Sequence, residues 1–145
     1  MFIEKVSELT DEVYAAVKLL VPQLGVHKAN PTWDELNALI RSESSTLLIG
    51  RYPDEAGQIA GILTLTIYRV PTGIRSIVED VIVDEMMRRR GIAEALMRYA
   101  IELAREAGAN GVALTSNPQR EAANKLYQAM GFRKRETNAY FYKLA

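Results

Sequence analysis

Three consecutive arginines run into a glycine and two small or apolar residues at Arg88-Arg89-Arg90-Gly91-Ile92-Ala93. Arginine guanidinium groups and closely spaced backbone N–H groups are the chemistry of anion binding. Gly91 lets the backbone approach a ligand, and Ala93 keeps the next turn uncrowded. Just upstream, Glu79 and Asp80 interrupt an otherwise apolar run, Ile74-Arg75-Ser76-Ile77-Val78-Glu79-Asp80-Val81-Ile82-Val83. Such a pair could perform acid–base work or simply lie on a strand surface. The bland alternative for the arginines is a solvated loop that happens to contain a glycine.

The elements that must position these residues are legible around them. Ile74–Val83 reads as a buried or half-buried strand, and Asp84–Met87 as a turn. Glu94–Ala100 has helical period, with Ile92, Ala95, Leu96, Tyr99, Ala100 and Leu103 spaced for one buried face. Strand, basic loop and helix together direct the unsatisfied N–H groups of a helix start at an anion. Gly108 ends this helix. Gly111-Val112-Ala113-Leu114-Thr115 follows, expected parallel to 77–83 in a right-handed crossover unit.

Earlier, 2–6 reads as a first strand, and Ser7 or Thr10 caps a helix to about Val21, where Pro22 stops it. Residues 24–30 form a loop containing His27, read as a solvated residue rather than a catalyst. Thr32-Trp33-Asp34-Glu35 is a capping box opening a short helix through Leu36, Leu39 and Ile40. Residues 46–52, 58–68 and 75–83 form an antiparallel series, with Gly61 marking a bulge or close packing. After Asn117-Pro118, residues 121–130 are helical and end at Gly131. Residues 132–137 and 138–144 read as a closing hairpin. The expectation is one α/β domain over 1–145, a mixed central sheet, mostly antiparallel with one parallel strand pair and flanked by helices.

Composition narrows the function. The chain has 145 residues, with Lys plus Arg equal to Asp plus Glu at 18 each, so bulk attraction to nucleic acid or an anionic membrane is not expected. It contains no cysteine, which excludes thiol catalysis, disulfides and cysteine-ligated metals. A single histidine excludes a multi-histidine metal site, and no metal is expected. No apolar run reaches the roughly 18 residues of a membrane span. The first residues lack a basic region followed by an apolar core, so no signal peptide is expected and a cytoplasmic location is the default.

Arg88-x-x-Gly91-x-Ala93 resembles the acyl-CoA signature of the GNAT family of N-acetyltransferases: glutamine or arginine, two residues, glycine, one residue, then glycine or alanine. The preceding strand and following helix fit that context. A second block, Glu121–Phe132, resembles the family's late helix, with Tyr127 four residues before Gly131-Phe132. The two blocks stand in the family's order and spacing, and the likeness is strongest over 74–145. It implies a sheet in which 77–83 and 111–115 splay apart to admit the pantetheine arm of acetyl-CoA.

The resemblance also implies residue roles. Arg88, Arg89, Arg90, Gly91, Ile92 and Ala93 would hold the pyrophosphate, and the backbone of Val81, Ile82 and Val83 would pair with the arm. Glu79 would be the base, directly or through one water, with Asp80 its rival because a bulge could exchange them. If that carboxylate is buried or partly buried, its pKa is raised towards the useful range for a base; the alternative is that both acids are strand-surface residues. Val81 N–H would stabilise the developing oxyanion. Tyr127 would be the general acid, against the alternative that it packs with Leu126 and Phe132. Asn117 and Asn124 are further candidates for cofactor contact. Many members carry asparagine seven residues before the tyrosine, where this chain has Arg120.

The acceptor site is expected from the first two helices, their loop and the C-terminal segment, with Leu24, His27, Trp33, Tyr68, Tyr140 and Tyr142 as candidates. The implied activity is direct, acetyl-CoA-dependent acetylation of a primary amine on a small molecule. A protein or peptide amine is the close variant, and a non-catalytic acyl-CoA sensor is the alternative class. The Asn138–Tyr142 segment could complete a homodimer or close the sheet.

Overall fold

A computed structural model describes residues 1–25 and 27–145; Val26, within the expected loop 24–30, lies outside the described residues. The chain divides into two compact units, 1–115 and 116–145.

The first unit holds a five-stranded sheet: β1 (Phe2–Lys5), β2 (Ser45–Tyr52), β3 (Gln58–Val70), β4 (Gly73–Val83) and β5 (Val112–Ala113), in that spatial order. Pairing is antiparallel from β1 through β4 and parallel between β4 and β5. Helices α1 (Asp11–Leu20), α2 (Trp33–Arg41) and α3 (Ile92–Glu106) belong to this unit.

Local chemistry explains the helix boundaries. Thr10 accepts a hydrogen bond from the Val13 N–H at 3.2 Å and caps α1. Thr32 and Glu35 form the complete capping box of α2, each side chain accepting from the other's backbone N–H. Helix α3 ends at Gly108, φ +80°, where Gly108 N–H donates to Arg105 O and Ala109 N–H to Ala104 O. This is the left-handed ending that favours glycine.

Strand alternation sorts the apolar residues onto two faces. On one face Leu47, Ile49, Ile62 and Ile82 share a cluster with Val13, Val17 and Leu20 of α1 and Leu36 of α2. On the other, Gly50 and Gly61 lie opposite each other in register. A Cβ at Gly61 would stand 3.2 Å from both Ile92 and Leu96 and 3.1 Å from Ile82 O. Gly61 is thus a site of close packing, and the missing side chains let α3 settle against the sheet.

The C-terminal expectations need correction. Strand β5 is confined to Val112–Ala113 rather than 111–115, and 132–145 carries no strand where a hairpin was expected. Tyr140, Phe141, Tyr142 and Leu144 are exposed. Alternating aromatics mark a strand-compatible face, but a two-stranded ribbon is marginal in water without further support. Asn138 and, to a lesser degree, Lys134 and Glu136 also suit a strand poorly.

Gly61→Val should destabilise the protein by about 1–3 kcal/mol through overpacking against α3. Urea unfolding checks this; an unchanged midpoint would contradict the close approach of helix and sheet.

Candidate active site

The site in the first unit starts from a fault in β4. Thr64 pairs with Glu79 and Ile62 with Ile82, so Leu63 of β3 faces both Asp80 and Val81. Asp80 has φ +51°, a left-handed conformation that aspartate tolerates better than most residues. This is a β-bulge. In a regular strand, residues three apart lie on opposite faces. Here the bulge puts Glu79 and Ile82 on one face, the face that carries α1 and α2. Glu79 and Asp80 are both exposed, so of the two alternatives the strand surface is the one met.

Beyond the bulge, Val81 and Ile82 are buried and Val83 is half-buried. The parallel ladder to β5 joins only Ser76 to Val112 and Ile77 to Ala113. Two hydrogen bonds fasten this lower end: Ser76 Oγ donates to Gly111 O at 2.7 Å and Asn110 N–H to Ile74 O at 2.9 Å. Ser76 is the one polar side chain buried with the core among the described residues. Its role escaped the sequence reading, because a serine within an apolar strand carries no marker of its partner. Strand β4 then continues to Val83 after the β5 ladder has ended, as expected for a splayed pair.

The basic loop follows. Asp84 accepts from Met86 N–H and turns the chain, and Glu85 N–H donates to Gln23 Oε1 at 2.9 Å. Arg88, Arg89, Arg90 and Gly91 are exposed. Arg89 and Gly91 both have left-handed φ, +64° and +78°. Gly91 is the N-cap of α3 and no side chain caps this end. Ala95 N–H returns to Gly91 O, which leaves the first-turn donors Ile92, Ala93 and Glu94 directed out of the helix start. Ile92 is buried and Ala93 half-buried. The donors and the positive end of the helix dipole make an anion-compatible terminus. These groups fit a pyrophosphate, and the strand beside them fits an amide-bearing arm.

The second unit contains α4 (Glu121–Ala129). Its ending explains the spacing of tyrosine and glycine-phenylalanine. Gly131, φ +103°, donates to Gln128 O, and Phe132 N–H donates to Tyr127 O at 2.9 Å. The flanking rings complete this Schellman ending, with Tyr127 and Phe132 centroids 5.9 Å apart at 61°. Tyr127 is buried, and that burial pushes its phenol pKa up, partly opposed by the charge of Arg120. The phenol therefore stays protonated through neutral pH and keeps a proton to donate. Asn117 Oδ1 accepts from Gln119 N–H, while Asn124 Nδ2 donates to Asn117 O and Arg120 O at 3.0 and 2.9 Å. These bonds tie the loop to the first turn of α4.

Among the acceptor candidates, Trp33 stacks edge-on with Tyr14 at 5.3 Å, and His27 is exposed in a turn. Tyr68 instead lines an open pocket of about 550 Å³ with Glu43, Arg69 and Ile74. That pocket lies at the start of β4, whereas the basic loop follows its end.

The model of the Acetyltransferase (GNAT) family matches residues 13–132, and the chain belongs to this family. It is 34% identical over 94 residues to N-acetyltransferase family 8 member 2 of Rattus norvegicus, covering 63% of this chain and 41% of that protein. It is 44% identical over 52 residues to N-acetyltransferase 8 of Homo sapiens, covering 36% of this chain and 23% of that one. The chain thus spans less than half the length of these relatives. An aminoglycoside acetyltransferase from an uncultured soil metagenomic sample, crystallised with trehalose, superposes with TM-score 0.83 at 18% identity, over 99% of this chain and 95% of that one. An acetyltransferase of Trypanosoma brucei gives 0.74 at 23%, over 98% and 100%. The structural likenesses confirm the expected fold. Among the described residues no group of three or more acidic or histidine side chains could hold a metal, and no helix is long and apolar enough to cross a membrane.

Because burial raises the folded-state pKa of Tyr127, its phenol ionises later in the folded chain than in the unfolded one. Stability is full below about pH 10, the unfolded value, and falls as pH rises through the folded value. Ultraviolet titration should show that Tyr127→Phe deletes a late tyrosinate component and lessens the alkaline loss of stability. Loss of an early component instead would contradict the burial effect.

Proposed function

We propose that the chain is an acetyl-CoA-dependent N-acetyltransferase that moves the acetyl group directly to a primary amine of a small molecule. The observation that carries the reading is the run from β4 into α3: a bulged strand that outlasts its parallel ladder, a loop of three arginines and an uncapped helix start. This set suits one ligand that has both an extended amide chain and a pyrophosphate. We propose further that both units act as one domain over 1–145; the family match from 13 to 132 runs across their boundary.

The bound thioester supplies an activated acetyl group. The first-turn N–H groups of α3, with Arg88 and Arg89, hold the pyrophosphate. The backbone of Val81, Ile82 and Val83 aligns the arm by hydrogen bonding. Glu79 takes a proton from the acceptor ammonium, directly or through one water, and frees the nitrogen lone pair. The amine nitrogen then bonds to the acetyl carbon as the carbon–sulfur bond breaks. Val81 N–H stabilises negative charge on the carbonyl oxygen. Tyr127 gives its proton to the departing sulfur, and the second proton lost by the nitrogen as the amide forms returns to the tyrosinate by way of water. Its burial supports this role, since it keeps the phenol neutral and away from bulk water.

The register favours Glu79 over Asp80, because the bulge sets Glu79 on the face of α1 and α2, from which the acceptor site is expected. Asn117 and Asn124 act on the ligand through the loop they brace. The soluble cell interior is the proposed location, with neither nucleic acid nor membrane as partner. A homodimer remains part of the proposal through the exposed aromatics of 140–142.

Thiol release from acetyl-CoA, measured over a panel of primary amines and short peptides, tests the reading. An amine-dependent rate should appear. Glu79→Gln and Tyr127→Phe should each lower kcat by about 10²–10⁴-fold, with Asp80→Asn much less affected. Saturable CoA binding without release for any amine would replace the enzyme by an acyl-CoA sensor. A requirement for peptides would move the acceptor to the protein class.

A further inference from the structure

The sheet face that carries α1 and α2 is covered only in part. Ile62 of β3 and Ile82 of β4 are buried there with Val13, Val17, Leu20 and Leu36. Towards the other end of the same two strands the cover is lost. Cross-strand pairs continue the face as Thr64 with Glu79, Thr66 with Ile77 and Tyr68 with Arg75. Thr64, Thr66 and Ile77 are half-buried, and Glu79, Tyr68 and Arg75 are exposed. The result is a strip of open floor with a carboxylate at one end and a guanidinium at the other. We propose that Arg75 sets acceptor selectivity by holding an anionic group at the far end of a chain whose amine lies at Glu79. This inference rests on the acetyltransferase reading with Glu79 as base and deepens it, because it names the acceptor class as an amine that also carries an anion.

Packing fixes the direction in which such an acceptor can trail. Beyond Glu79 the face is closed by the helices over Ile62 and Ile82. On the β2 side, Leu47 is the partner of Thr64 and is buried in the same cluster. An amine at Glu79 therefore leaves its chain the open direction, over Ile77 to Arg75. Four residues along one strand span about 13 Å between Cα atoms, and both side chains stand off the same face. The long side chains shorten the gap between the charged ends, so a chain of several methylenes bridges them. Ile77 supplies an apolar bed beneath that chain.

Arg75 is arranged for an anion from outside. Its Nη2 donates to Thr72 Oγ1 at 2.9 Å, which tethers the guanidinium without neutralising it. A guanidinium has five N–H donors, so most of the fork stays available. Among the described residues no carboxylate pairs with Arg75, whereas Arg51, Arg98 and Arg105 each have a glutamate partner. An acceptor anion gains a charge-assisted contact at this end of the floor. A second cation on the acceptor would meet like charge there.

The test uses acetyl-CoA with three six-carbon amines that differ only at the far end: hexylamine, 6-aminohexanoate and 1,6-diaminohexane. The native chain should favour 6-aminohexanoate over hexylamine by about fivefold or more in kcat/KM, the effect of one partly exposed charge pair. The diamine should be poorest per amine. The preference should lie in KM with kcat alike, because the contact holds the acceptor equally before and during transfer. Arg75→Gln should bring the three amines together, Arg75→Lys should keep their order, and Arg75→Glu should invert it in favour of the diamine. Equal use of the three by the native chain, or an order that Arg75→Glu leaves unchanged, overturns the assignment while the acetyltransferase reading stands. Transfer to other amines but to none of these three overturns it as well. Thiol release with no amine at all removes the acetyltransferase reading, and this inference falls with it.

Discussion

One extra residue in β4 governs the candidate site. Because Asp80 and Val81 together face Leu63, the strand changes phase halfway along. Glu79 then shares a face with Ile82, towards α1 and α2, while the last part of β4 leads into the basic loop. A regular strand would place Glu79 with Val81 and Val83 and remove it from the α1 and α2 side. The left-handed φ of Asp80 is the local cost of this arrangement, of order 1 kcal/mol or more. The ladders to β3 and β2 on one side and the buried residues of both sheet faces hold the bulge in place.

The end of the β5 ladder is the complementary constraint. Ser76 and Asn110 tie the parallel pair at its lower end, and β4 goes on after β5 has left the sheet. A strand buried by an adjacent strand along its whole length would offer a ligand no amide groups. Helix α3 is held by close packing over Gly50 and Gly61, which brings its uncapped start to the end of β4. Packing, register and helix dipole thus act on the same few residues, and membership of the GNAT family agrees with that convergence.

Much of this was legible in the residues. The capping box at Thr32–Glu35, the antiparallel series and the glycine stops at Gly108 and Gly131 follow from short-range chemistry that sequence spacing records directly. The tyrosine-to-glycine spacing in α4 also has a local cause, the Schellman ending that joins Tyr127 to Phe132. The exposure of Glu79 was not legible, because burial depends on what other elements cover. The closing hairpin was expected from alternation alone, and alternation identifies a face without supplying a ladder partner.

The central claim is that the end of β4 and the start of α3 form one acyl-CoA site. Amide hydrogen exchange with and without saturating CoA tests it most directly. The account predicts slower exchange at Val81, Ile82 and Val83 together with Ile92, Ala93 and Glu94, and little change in α1. Saturable CoA binding with protection elsewhere and none at these two segments would contradict it.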